Sequence, residues 1–290
     1  MKKNMEDMRL KNRNPYVAGV FYDGEKELLK KQISWCFLHK VGPGALPNGI
    51  VKNEREVISL ISPHAGYVYS GPVAAHGYYY ISREPKPEVV VIIGPNHTGI
   101  GAGVAVWCEG EWLTPLGRVE VDTELAYMLV REGVAEKDET AHMYEHSIEV
   151  QIPFLQFIYQ NNFKILPICM LIQDYETSYE LGRTLAKLLS NRSALMIAST
   201  DFSHYVPYSE AYKKDSLAIE YIIKMDAKSL EKIIIKEDIS MCGPGPVMTI
   251  LEASKNLGAR ECKRLCYATS GDTSGPKNEV VGYGSFVIIK

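Results

Sequence analysis

The sequence predicts an α/β fold: one domain over residues 1–290, in which helices cover both faces of a largely parallel, mixed sheet. Short, continuous Val/Ile-rich runs alternate with helical patterns, which is typical of parallel strands buried on both faces. The chain has 290 residues, of which 46% are hydrophobic, so it is long enough to bury a large core. A stretch that resembles a hairpin interrupts the alternation, and for this reason we expect part of the sheet to be antiparallel.

The first half of the chain begins with an amphipathic helix over residues 25–40, followed by the Gly- and Pro-rich loop "VGPGALPNG". Two apolar runs then predict strands at Val57–Ile61 and Val89–Ile93, with a helix at Pro72–Ile81 between them. The segment "GVAVWCEGEWLTPLGRVEVD" predicts a hairpin with Glu109 and Gly110 at its turn.

The second half continues the alternation. The predicted strands are Ile165–Met170, Leu195–Ala198, Arg264–Ala268 and Tyr283–Ile289. The predicted helices are Thr123–Glu132, Ser147–Gln160, Tyr175–Leu189, Ser209–Met225, Ala227–Lys236 and Pro246–Leu257.

Composition excludes several classes of protein. The formal net charge is -3 and no Lys/Arg run exceeds a pair, so we expect no binding to nucleic acid. No apolar run approaches the roughly 20 residues that span a bilayer, and the polar N-terminus lacks a signal peptide's apolar segment. We therefore expect a cytoplasmic protein with no membrane association, a flexible or loosely packed segment at residues 1–14, and 6 reduced, scattered cysteines.

Three predicted strands end on polar residues that include a histidine. His64 follows the first strand, His97 follows "VVVIIGPN", and Asp201 and His204 follow "LMIAST". Ligands of open α/β sheets bind at the carboxyl ends of the strands. If these strands are parallel neighbours, the four side chains meet at one edge of the sheet.

Such residues favour a metal site. Two imidazoles and one anionic ligand can hold iron, zinc or copper and leave coordination positions open for a substrate. Cys242, in "SMCGPGPV", is the leading candidate for the third ligand, because a thiolate is stabilised at a helix N-terminus. A buried apolar cysteine is the alternative at this position, and Glu145 or Glu149 could instead be a carboxylate ligand.

Two further residues are predicted to line the same pocket. His146 precedes a predicted helix, where we expect it to form hydrogen bonds to a ligand. Tyr67 follows the first strand within "SPHAGYVYSG". In contrast, His76 is interpreted as a packing residue of a helix, and His39 as a histidine at a helix C-terminus.

Five ordered motifs resemble those of the Memo family: "SPHAGYVYSGPVAAHGY", "IIGPNHTG", "EHSIEVQIPFL", "ASTDFSHY" and "MCGPGPV". The resemblance runs over nearly the whole chain. It implies a fold similar to that of the class III extradiol ring-cleaving dioxygenases, in which two histidines and one glutamate hold a non-haem Fe(II) ion. It also implies possible partners of the AMMECR and radical-SAM types.

The resemblance assigns roles to individual residues. It implies metal ligands at His64, His97 and Cys242, and a base or proton donor at His204, which we expect Asp201 to orient. Cysteine stands where the dioxygenases have a carboxylate, so Cu or Zn is possible besides Fe(II), the leading choice. We further expect the Cys242 thiol to be the most reactive cysteine of the metal-free protein.

Three functions remain open on the sequence alone. The leading one is a metal-dependent redox reaction on an unidentified small molecule, with a dioxygenase-like pocket. The second is a non-enzymatic metal-handling or peptide-binding adaptor, in which tyrosines serve a partner. The third is a zinc hydrolase.

Overall fold

The computed structural model describes residues 12–273 and 275–290. The strands within these residues are β1 (Asn12–Arg13), β2 (Val57–Ser62), β3 (Val89–Pro95), β4 (Val104–Val106), β5 (Glu111–Thr114), β6 (Gly117–Val121), β7 (Glu136–Lys137), β8 (Lys164–Met170), β9 (Ala194–Ser199), β10 (His204–Val206), β11 (Glu261–Thr269) and β12 (Val280–Ile289). The helices are α1 (Lys26–Leu38), α2 (Tyr67–Ile81), α3 (Thr123–Arg131), α4 (Thr140–Met143), α5 (Ile152–Tyr159), α6 (Tyr175–Leu189), α7 (Tyr208–Ile223), α8 (Ala227–Lys236), α9 (Pro244–Asn256) and α10 (Ser270–Thr273). A single 3-10 turn, Glu149–Gln151, immediately precedes α5.

The strands form one mixed sheet whose centre is parallel. β6, β8, β3, β9 and β2 lie side by side in that order, and each is parallel to its neighbour. β12 is antiparallel to β2, and β10 and β11 are both antiparallel to β12. The prediction of a largely parallel, mixed sheet is therefore confirmed.

Helices cover both faces of this sheet. On β2, the Ser59 hydroxyl lies 2.6 Å from that of Ser254 on α9. The next side chain, Leu60, packs against α2 at Gly77, where any Cβ atom would overlap it. Because successive side chains of a strand point to opposite faces, α9 and α2 cover opposite sides of the sheet.

Two local predictions are corrected by the structure. The hairpin pairs β5 with β6, so its turn is at residues 115–116 and not at Glu109 and Gly110. Gly110 does adopt a positive φ of 86°, but this turn leads from β4, which pairs with β8, into β5. Helix α2 begins at Tyr67 and not at Pro72, because contacts outside the helix hold its first turn: the Tyr67 N–H donates to the Phe21 carbonyl over 2.7 Å.

The N-terminal segment is partly built into the fold. Residues 1–11 of the predicted loose segment lie outside the described residues. The expectation is wrong for residues 12 and 13, because β1 pairs with β5 and Arg13 is only 2% exposed. None of the helices in the described part of the chain is both long and apolar enough to cross a membrane.

Candidate metal centre

The three polar strand ends meet at one edge of the sheet. β3, β9 and β2 are consecutive neighbours, so their carboxyl ends bring His97, Asp201 and His64 together. Cys242 reaches the same edge from the loop before α9, and its backbone N–H donates to the Asp201 carbonyl over 3.2 Å. Three candidate ligand atoms lie within 4.8 Å of one another: one ring nitrogen of His64, one ring nitrogen of His97, and Cys242 Sγ.

The ring of His64 is held in one tautomer by a chain of hydrogen bonds. Its Nδ1 lies 2.9 Å from Ser199 Oγ. The Ser199 hydroxyl donates its one proton to the Ser147 carbonyl over 2.6 Å, so it can only accept from His64. His64 therefore carries its proton on Nδ1 and presents the lone pair of Nε2. Burial, followed by the neighbouring histidines, lowers the pKa of His64 well below its usual value, which keeps the ring neutral.

Cys242 lies directly opposite this lone pair. Its Sγ is 3.2 Å from His64 Nε2 and accepts the backbone N–H of Asp201, also over 3.2 Å. The following Gly243 permits this approach, because a Cβ atom there would overlap the Ser199 carbonyl at the end of β9. Burial raises the pKa of the Cys242 thiol and so keeps it protonated without a metal, which opposes the high reactivity, relative to the other cysteines, that the sequence predicts.

His97 is held by Glu145. Oxygen Oε1 of Glu145 accepts from His97 Nδ1 over 2.9 Å, and Oε2 accepts the His97 backbone N–H over 2.5 Å. Oε1 also accepts the backbone N–H groups of His146 and Ser147, both over 2.8 Å. Burial alone would raise the pKa of Glu145, but the hydrogen bond from His97, the neighbouring imidazoles and the backbone N–H of Ser147 together outweigh it and lower the pKa to about 2. Glu145 is thus an ionised acceptor with several donors, and its bond to His97 leaves His97 Nε2 free for a metal.

The other carboxylate alternative, Glu149, is fully occupied away from this cluster. One of its oxygens accepts from the Tyr22 hydroxyl over 2.6 Å and the Val17 N–H over 3.0 Å. The other accepts the Tyr16 N–H over 2.8 Å and forms a buried ion pair with Arg13. The candidates for the third ligand were Cys242, Glu145 and Glu149. Of these three, only Cys242 forms a cluster of possible ligand atoms with both His64 and His97.

His146 forms a wall of the site, next to His97. The two rings are stacked, with centroids 4.6 Å apart and planes 20° apart. The ring of Phe21 packs against that of His146, with centroids 4.7 Å apart. The ring of His64 is nearly perpendicular to that of His146, with centroids 5.4 Å apart. Burial lowers the pKa of His146 to about 4, so its ring is neutral near pH 7.

Ser240, not Asp201, orients His204. His204 Nδ1 lies 2.7 Å from the Ser240 carbonyl, which can only accept, so Nδ1 carries a proton and the lone pair of the neutral ring is on Nε2. The Asp201 carboxylate instead accepts the backbone N–H of His64 over 2.8 Å. The expectation that Asp201 orients His204 through a hydrogen bond is therefore corrected. Burial raises the pKa of Asp201 to about 6.

Tyr67 contacts the protein core. Its hydroxyl donates to the Val150 carbonyl over 2.7 Å, and its ring packs against Tyr22 and Phe154. These contacts place the hydroxyl among core residues and not against the three histidines.

Sequence reasoning missed several residues that hold the site: Phe21, Gln151, Ser199 and Ser240. Ser199 directly follows the predicted strand Leu195–Ala198, and its position two residues before Asp201 was the one available signal. Gln151 donates to Ser199 Oγ over 2.8 Å, but it lies 48 residues away in sequence, so no spacing indicates this contact.

Comparison with known proteins identifies the family. The family model described as Memo-like protein matches residues 13–287. This chain belongs to the Memo family. A MEMO1 family protein of Sulfurisphaera tokodaii is 48% identical over 276 residues, which cover 93% of this chain and 97% of that protein. Another, from Methanopyrus kandleri, is 47% identical over 95% of this chain and 98% of its own length.

A solved structure shares the fold at low sequence identity. The crystal structure of the uncharacterized protein JW3007 from Escherichia coli K12 aligns with a TM-score of 0.52 and 15% sequence identity. The alignment covers 81% of this chain and 100% of that one. At this identity the likeness concerns the fold alone.

Proposed function

We propose that this Memo-family protein binds one transition-metal ion through His64, His97 and Cys242 and uses it in a redox reaction on a small molecule. The observation that carries the proposal is the convergence of the three donor atoms within 4.8 Å. The hydrogen bonds to Nδ1 of both histidines support it, since they direct the Nε2 lone pairs away from Ser199 and Glu145.

The donor set fits a transition metal. Two neutral imidazoles and one thiol suit Fe(II), Cu or Zn, and we propose Fe(II) as the ion of the redox reaction. When bound, such an ion would polarise a substrate oxygen or exchange electrons with the substrate. It would also deprotonate Cys242, whose thiol is otherwise kept protonated by burial.

Other residues of this chain would manage protons. In the neutral form of His204, the Ser240 carbonyl holds the proton on Nδ1, so Nε2 would be the nitrogen that accepts a proton from a substrate. Asp201 stabilises the backbone of His64 and lies close enough to His204 for their charges to interact.

The second candidate function is non-enzymatic metal handling. The presence of Cys242 favours it, because a thiolate prefers softer ions such as Cu(I) and Zn over the ions that a carboxylate selects. In this case we propose that the metal is transferred to a partner, for which AMMECR-type and radical-SAM proteins are the candidates to test.

Elemental analysis after anaerobic purification tests the site. We expect one metal ion per chain in the wild type and loss of the metal in His64→Ala and His97→Ala. The control is His76→Ala, because His76, on α2, bonds to the carbonyl of Val41 in the loop after α1 and should not affect the metal. His204→Ala should also keep the metal. Retention of wild-type metal content by both ligand variants would refute the placement of the site.

The identity of the metal then separates the two functions. Iron in the anaerobically purified protein supports the redox reaction, whereas Cu(I) supports metal handling. Zinc would instead support the hydrolytic alternative.

A further inference from the structure

The imidazoles of His97 and His146 share one anchor. Both Nδ1 atoms approach the same oxygen, Glu145 Oε1, at 2.9 Å for His97 and 3.4 Å for His146. The two rings are nearly parallel, with planes 20° apart. In an imidazole, Nε2 lies on the side of the ring away from Nδ1. The Nε2 atoms of both residues therefore lie away from the carboxylate.

The His146 ring is also fixed in place. It lies between the ring of His97 at 4.6 Å and that of Phe21 at 4.7 Å. The His146 side chain is 21% exposed, so part of it can reach a bound molecule. The backbone of Phe21 is fixed in turn, because its carbonyl accepts the N–H of Tyr67 at the start of α2.

His146 is close to the proposed ligands but is not one of them. Its ring nitrogen groups with His97 and Glu145, while His64, His97 and Cys242 form a separate group. The Glu145 carboxylate already accepts hydrogen bonds from the ring and backbone of His97 and from the backbone N–H groups of His146 and Ser147, which occupy it as an acceptor. Among the described residues, His146 is thus a third imidazole of the site, one whose Nε2 the proposed metal does not use.

We propose that His146 Nε2 accepts a hydrogen bond from the small molecule that occupies the remaining coordination positions of the metal. This inference rests on the metal site proposed above. The site would then select molecules that carry an N–H or O–H group next to their metal-binding atom. His204 adds a second acceptor of the same kind, since its Nδ1 proton is directed at Ser240.

The test compares two probes on the Co(II)-loaded protein, with binding followed in the visible spectrum. Acetohydroxamic acid carries N–H and O–H groups, whereas azide carries no proton. The variant is His146→Phe, which keeps an aromatic ring between His97 and Phe21, and the control is His76→Phe. We expect His146→Phe to retain cobalt and to weaken hydroxamate binding about five- to tenfold, the scale of one hydrogen bond. Its affinity for azide should change less than about twofold, since azide donates no hydrogen bond.

Each other outcome overturns the inference in a distinguishable way. Equal weakening of both probes would show a general distortion of the pocket, and no weakening of either would show that His146 does not contact the ligand. Loss of cobalt in His146→Phe alone would make His146 a metal ligand. Failure of the wild type to bind cobalt would refute the metal site itself.

A second measurement does not depend on the metal or on the variant. Imidazole ¹⁵N spectra of the metal-free wild type should show His146 protonated at Nδ1 and unprotonated at Nε2. The opposite tautomer would direct a proton into the site and refute the assignment of His146 as an acceptor.

Discussion

Replacing Glu145 with glutamine tests whether a carboxylate that does not bind the metal sets the affinity of the site. Oxygen Oε1 of the ionised Glu145 carboxylate accepts from His97 Nδ1 over 2.9 Å, and its charge raises the basicity of His97 Nε2. Its other oxygen fixes the backbone of the same residue over 2.5 Å. Glutamine has nearly the same shape but lacks the charge, and its NH2 group cannot accept from either N–H group of His97.

The expected loss is about 10–100-fold in metal affinity, the range typical of such partners of a metal-binding histidine. This corresponds to about 1.4–2.7 kcal/mol. The assay is competition for the metal against a chelator of known affinity, with protein folding checked by circular dichroism.

Glu84→Gln is the matched control. Glu84 is also a fully buried carboxylate that accepts a backbone N–H, from Val57 over 3.0 Å, but it lies at the amino end of β2, opposite the site. Its replacement should lower the stability of the fold and leave metal affinity unchanged. Unchanged metal affinity in Glu145→Gln, or an equal loss in both variants, would refute the role assigned to Glu145.

Three further predictions follow from buried groups. Arg13→Met leaves the Glu149 carboxylate buried without its ion-pair partner, so we expect a loss of about 3–5 kcal/mol in urea unfolding; an unchanged midpoint would contradict this. The pKa of Asp201 is raised from 3.8 to about 6, so the folded protein binds a proton more tightly than the unfolded chain. Metal-free protein should therefore lose stability as the pH rises from 3.8 to about 6. In Asp201→Asn, the fall in Tm over this pH range should be absent. Cys242 of metal-free native protein should react with iodoacetamide no faster than the half-buried Cys266, and still more slowly when metal is bound; rapid labelling of the metal-free thiol would contradict its raised pKa.

The sheet could be predicted because its strands carry a strong local signal. β2 and β3 are buried at every position, so both read as continuous apolar runs that end at a histidine. The hairpin was placed wrongly because Glu109 and Gly110 do form a turn, but pairing partners decide which turn closes a hairpin. That choice depends on β4 pairing with β8, a contact that no local pattern contains.

The candidate ligands could be found from the sequence, but their chemical state could not. The tautomer of His64 depends on Ser199, which is 135 residues away, and that of His97 depends on Glu145, 48 residues away. His64 and Ser199 come together only because β2 and β9 are neighbours in the strand order β3, β9 and β2. Spacing within a motif carries no information about such partners.

The partners of Nδ1 also give a physical reason for the different roles of two histidines. His97 donates to a carboxylate whose pKa is lowered to about 2, so a full negative charge strengthens the donor power of its Nε2. His204 donates to the neutral Ser240 carbonyl, which fixes the same tautomer without adding a charge. The ring with the carboxylate partner is therefore the stronger metal ligand, whereas the carbonyl partner orients the His204 ring for proton transfer without a direct bond to an anion. Exchange of these partners, and not of the histidines, is what should exchange the two roles.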